Sequence, residues 1–161
     1  MRFCYMELAE SDIRQTIKIR DMAEINQYRK ELRDKIIAYA MREFHQRGVK
    51  AVKMDEISRG LRVSKRTVYE IFGDKEELLL AGMKIERAEY KARVEEYALA
   101  HARNVMDVIG YIYRLQMERN QQVGVVFYEE IHRMPRILEF LKEEHDKEYD
   151  DSMRFFQAGV D

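Results

Sequence analysis

Two places in this 161-residue sequence hold side chains at spacings that could do chemistry. Glu129 and His132 form an E-x-x-H pair, which on a helix puts a carboxylate and an imidazole on one face, half of a di-iron bundle site. No second E-x-x-H occurs, and His45, His101 and His145 stand far apart in the chain. There is also no glycine-rich phosphate loop, nucleophile elbow or H-E-x-x-H. A catalytic constellation is therefore missing, and no resident metal or cofactor is expected. The second place is Lys65-Arg66-Thr67, at the opening of a short amphipathic stretch. A helix start already carries partial positive charge, so cations there lower stability. Something outside the chain should want them, and the phosphates and base edges of duplex DNA are the natural candidates.

The elements needed to present those cations can be read from pattern. The chain is 46% apolar and 37% charged, with one proline and seven glycines, which points to an all-α protein. Leu32, Ile36, Ala40 and Phe44 recur at helical spacing, so a helix is predicted over 30–47 with Gly48 as its stop. A second helix is predicted from about 54 or 55 to 61, with Ile57 and Leu61 inward. A tight turn at Arg62-Val63 follows, then Ser64 as the N-cap of a helix over 64–71. Asp74 followed by Glu77 is a capping-box pattern opening a long helix over 75–101. Further helices are predicted over 104–119, 122–133 and 135–158, with Pro135 in the first turn of the last and Gly159 at its end. Residues 1–29 also read as helical, with Ile13, Ile17, Ile19, Met22 and Ile25 as apolar positions in a loose register.

A supporting helix, a helix, a short turn and a second short helix form the arrangement of a helix-turn-helix reader, whose second helix puts its first residues at the base edges of the major groove. Charge agrees: residues 30–82 hold twelve basic and nine acidic side chains, and residues 83–161 hold twelve and sixteen. The net charge of −1 hides this asymmetry. Cys4 is the lone cysteine, which excludes an internal disulfide or a cysteine zinc cluster and fits a cytoplasmic setting. No apolar run approaches the roughly 20 residues of a membrane helix, and no secretory signal is expected.

The stretch MREFHQRGVKAVKMDEISRGLRVSKRTVYEIFGDKEELL, residues 41–79, resembles the DNA-binding domain of TetR-family transcriptional repressors. The likeness rests on Phe44, Gly48, Ile57, the Val63-Ser64 pair, Thr67, Tyr69, Phe72, Lys75 and Leu78. It implies that Lys65, Arg66 and Thr67 contact bases, and that Lys53, Ser64, Tyr69 and Lys75 contact phosphates. Three positions depart from the family pattern. Val52-Lys53-Met54 replaces a capping threonine, Arg62 stands where glycine is common in the turn, and Gly60 stands where alanine is more usual. If Arg62 adopts positive φ, it is strained by about 1 kcal/mol.

The resemblance further implies three parts: a helical extension over 1–29, the DNA-binding domain over 30–74, and a helical effector-binding and dimerising domain over 75–161, short of the family's last two helices. Met106, Ile109, Tyr113 and Met117 form one apolar stripe, and Phe127, Tyr128, Ile131 and His132 belong to another. Together they are the expected lining of a pocket for a small effector. The expected protein is thus a homodimeric regulator on a palindromic operator, most simply a repressor released by its effector. Two other readings remain open at this stage. One is a helical-bundle metalloprotein using Glu129 and His132; the other is a non-enzymatic interaction bundle using the acidic final helix.

Overall fold

The computed structural model describes the backbone of residues 2–158 and the side chains of residue 22 and residues 24–150. Among the described residues all seven regular elements are helices: α1 (Arg2–Arg47), α2 (Met54–Gly60), α3 (Lys65–Ile71), α4 (Lys75–Ala100), α5 (Val105–Gln122), α6 (Val125–Ile131) and α7 (Pro135–Ala158). The all-α class expected from composition is the class observed. The separate helices expected over 1–29 and 30–47 are one uninterrupted helix. Its cause is local: neither glycine nor proline occurs between positions 2 and 47, so nothing stops propagation before Gly48.

The chain divides into two compact units, residues 1–36 and residues 37–161. In the first, the described apolar side chains Met22, Ile25 and Tyr28 are exposed, and Gln27 donates to Glu31 one turn on at 2.9 Å. Ile13, Ile17 and Ile19 lie outside the described side chains.

The second unit begins with the amphipathic end of α1. Ile37, Ala40, Met41 and Phe44 share one face and are buried, with Phe44 fully so. Val49 and Val52 of the following loop, Ile57 of α2, Val68 of α3, Phe72, and Leu78 and Leu79 of α4 are buried as well. Each such side chain contributes about 1.5–3 kcal/mol by leaving water. Gly82 permits α4 to lie close to α1, because a Cβ there would fall 2.3 Å from the Met41 sulfur. Gly48 ends α1 in the left-handed region at φ 82°, its N–H on Phe44 O at 2.9 Å.

The remaining helices start as their caps dictate. Asp74 accepts the Glu77 N–H at 2.7 Å, and the Glu77 carboxylate reaches back to the Gly73 N–H at 3.0 Å. Asn104 and Asp107 repeat that reciprocal pattern at the start of α5. The boundary between α5 and α6 differs from the prediction. It falls at Val123-Gly124 because the Gly124 N–H bonds to His45 O at 2.8 Å, on another helix, instead of continuing α5. Phe127 of α6 is fully buried, with its ring edge-on to His45 at 4.7 Å.

Candidate nucleic-acid interface

The turn between α2 and α3 decides what α3 presents. Val63 N–H returns to Ser58 O at 3.0 Å and Arg62 N–H to Arg59 O at 3.1 Å, which is the Schellman pattern of helix termination. Its left-handed position is Arg62, at φ 56°. The strained turn expected from the sequence is therefore present, without the glycine that would relieve it. Ser64 then caps α3: its hydroxyl accepts the Thr67 N–H at 3.0 Å and lies 2.7 Å from the Thr67 hydroxyl. Neither Lys53 nor Asp55 caps α2 through a side chain; the Lys53 side chain makes no cap bond. A Cβ at Gly60 would run into the end of the Tyr39 side chain.

Val68 points into the core and carries α3 with it, so Lys65, Arg66 and Tyr69 face outward. The two cations are held differently. Lys65 Nζ lies 2.9 Å and 3.1 Å from the two oxygens of Asp55 on α2, and 5.8 Å from the centre of the Tyr69 ring. Arg66 meets Glu70, one turn on, through Nε at 2.7 Å. Hydrogen bonding to Asp55 raises the Lys65 pKa and hydrogen bonding to Glu70 raises that of Arg66, so both stay protonated. Tyr69 is 42% exposed. Thr67 is half-buried and occupied with Ser64.

Lys75 has a different surrounding from the one its expected phosphate role suggests. Its ammonium donates to Val49 O at 2.7 Å and Val52 O at 2.9 Å, bridging the loop between α1 and α2. Burial lowers its pKa, and the Glu130 carboxylate opposes that shift. Glu130 itself accepts the Lys50 N–H at 2.8 Å. The loop that sets the position of α2 is thus held by one cation from α4 and one carboxylate from α6.

The α5 and α6 residues expected to line an effector pocket differ in exposure. Met106, Ile109, Tyr113 and Met117 are 45–70% exposed, on the outward side of α5. Phe127 and Ile131 are buried core. Tyr128 donates its hydroxyl to Asn120 at 3.4 Å, and His132 is exposed with Nδ1 2.7 Å from Tyr128 O. The reason is that α5 is apolar on more than one side. Leu115 is the side chain it turns fully inward, and the predicted stripe therefore turns out. Concave space lies elsewhere. A cleft of about 780 Å³ runs between α4 and α7, with Lys84, Arg87, Phe140 and Glu144 among its walls. A smaller one of about 280 Å³ contains Glu86, which faces His45 Nε2 at 3.3 Å and Arg119 at 3.2 Å. Among the described residues no group of three or more His, Cys, Asp or Glu side chains is arranged to hold a metal ion, so Glu129 and His132 have no third partner there. No described helix is long and apolar enough to cross a membrane.

Sequence reasoning missed Asp55, Glu70 and Glu130 as parts of this region. The Arg66–Glu70 spacing of four was a legible signal. The other two carboxylates act on groups 10 and 80 positions away, and no local pattern announces them.

A buried support carrying an exposed, cation-bearing short helix is the helix-turn-helix arrangement. Residues 36–81 match the family model for bacterial regulatory proteins, tetR family. No curated protein matches the chain at a significant level. Among solved structures, the chain is similar to a protein from Saccharomonospora viridis whose proposed role is transcriptional regulation, crystallised in complex with choline. That likeness has a TM-score of 0.65 at 20% identity and covers 76% of this chain and 66% of the other, so this chain spans just under two thirds of the matched protein. At that identity the likeness speaks for the fold.

Proposed function

We propose that the protein is a sequence-specific DNA-binding repressor that leaves its operator when a small effector binds. The observation that carries this reading is the α3 tip. Arg66 is 88% exposed at the first turn of a helix whose opposite side is locked into the core by Val68. Arg66 reads base edges, Thr67 adds a contact, and Lys65 joins once phosphate or base displaces Asp55. Lys53, Ser64 and Tyr69 face phosphates, and Lys75 holds the loop that aims them. The protein acts as a homodimer on a palindrome, with half-sites about one helical turn apart or a multiple of it, in the cytoplasm where its DNA lies.

The effector engages the helices that follow α4. The 780 Å³ cleft falls within the size range of small-molecule sites, and choline in the Saccharomonospora viridis protein supports a small organic ligand. Release requires that the effector bind the DNA-free state more tightly than the DNA-bound one. Selection of duplexes from a random pool at fixed ionic strength tests the reading. A shared motif with two-fold symmetry is expected, with affinity falling steeply as salt rises. Arg66→Ala should relax preference at particular base pairs by about 1–3 kcal/mol, and Tyr69→Phe should weaken all duplexes alike. Recovery of unselected sequence would refute it.

A further inference from the structure

We propose that Glu70 sets the sequence discrimination of the α3 tip by fixing the plane in which Arg66 meets a guanine. The proposal rests on the DNA-reading function above and deepens it. Its basis is the asymmetry between the two cations. Asp55 takes the compact Lys65 ammonium with both oxygens, at 2.9 and 3.1 Å. Glu70 takes Arg66 by Nε, at 2.7 Å. A guanidinium is a planar fork of five N–H donors, so a bond at Nε leaves the four on the terminal nitrogens outside it. One N–H on each terminal nitrogen makes the end-on fork that matches guanine O6 and N7, which lie side by side in the major groove.

Holding Nε orders a long side chain before DNA arrives, which lowers the entropy lost when the fork docks. It does so without covering the reading edge. The same carboxylate repels phosphates, so a sequence offering Arg66 no guanine meets a negative charge and no compensating bond. Glu70 therefore acts in two directions: it favours the right base pair and disfavours random DNA. A side chain that only supported α3 would favour both, and one that only cancelled charge would disfavour both.

The test uses the full chain and a duplex selected by the wild type. Wild type, Arg66→Ala, Glu70→Ala and Glu70→Gln are titrated at one ionic strength against that duplex, its single base-pair variants and a random duplex. Arg66→Ala should identify one G·C pair by loss of discrimination there. Glu70→Ala should lose about three- to ten-fold of discrimination at that same pair while binding the random duplex at least as tightly. Glu70→Gln keeps an oxygen for Nε and should retain most of the discrimination. Unchanged discrimination in Glu70→Ala, or an equal loss on every duplex, would overturn the proposal, as would a glutamine variant no better than the alanine. A wild type that selects no sequence would refute the DNA-reading function itself. A wild type that selects one while Glu70→Ala behaves normally would refute only the role of Glu70.

Discussion

The Glu130 carboxylate on α6 accepts the backbone N–H of Lys50 at 2.8 Å, across 80 positions of sequence. Lys50 belongs to the loop that follows Gly48 and precedes α2, so a helix of the second half of the chain holds the entry to α2 and α3. Gly48 sits beneath the same contact: a Cβ there would fall 2.8 Å from a Val126 methyl and 3.1 Å from a Glu130 oxygen. Glu130→Ala leaves the Lys50 N–H to water. Exchange of that amide with solvent should quicken by about five-fold, matching the roughly 1 kcal/mol net worth of such a bond. Glu130→Gln keeps an acceptor and should stay near wild type in the same hydrogen-exchange measurement.

Lys75 donates to Val49 O and Val52 O in that loop. Lys75→Met removes the donors but keeps much of the stem, so the fold should lose about 1–3 kcal/mol. Binding to DNA should weaken through the loosened loop. The slope of log affinity against log salt should stay as in the wild type. A slope reduced by about one would instead place the ammonium on a phosphate.

Arg62 occupies the left-handed position of the turn at φ 56°. Arg62→Gly relieves the strain but frees the unfolded chain, and the balance should favour the variant by up to about 1 kcal/mol. Thermal melting should rise by a few degrees. A lower melting temperature would mean that the arginine side chain contributes more than its backbone strain removes.

Asp55 engages Lys65 across the helix pair and raises its pKa. Asp55→Asn keeps the shape and removes the charge. Affinity for random duplex should rise several-fold, and the salt dependence should steepen by up to about one counterion, because Lys65 is then free for phosphate. Binding that is unchanged at all salt concentrations would show that the pair does not restrain Lys65.

The features legible in the sequence are those closed within one or two turns of chain. The i, i+3, i+4 spacing of Ile37, Ala40, Met41 and Phe44 announces the face that is buried. Ser64 and Asp74 announce the two caps, whereas the strained Arg62 is implied only by the family resemblance, whose turn commonly holds glycine there. For the buried face and the caps the interacting groups are near neighbours in the chain, so residue type and spacing suffice.

What the tertiary structure decided has a different physical origin. α5 offers more than one apolar side, and only packing selected Leu115 to turn in and Met106, Ile109, Tyr113 and Met117 to turn out. The break before α6 depends on the Gly124 N–H finding His45 O, a partner no local pattern names. Lys75, Asp55 and Glu130 are ordinary surface charges by type, and each acquires its role from a group brought close by the fold. The sequence by itself determined the all-α class, the caps of α3 and α4 and the cationic opening of α3, because those follow from neighbours along the chain. The partners of those cations and of the loop that aims them came only with folding, because hydrogen bonds between distant segments depend on distance in space.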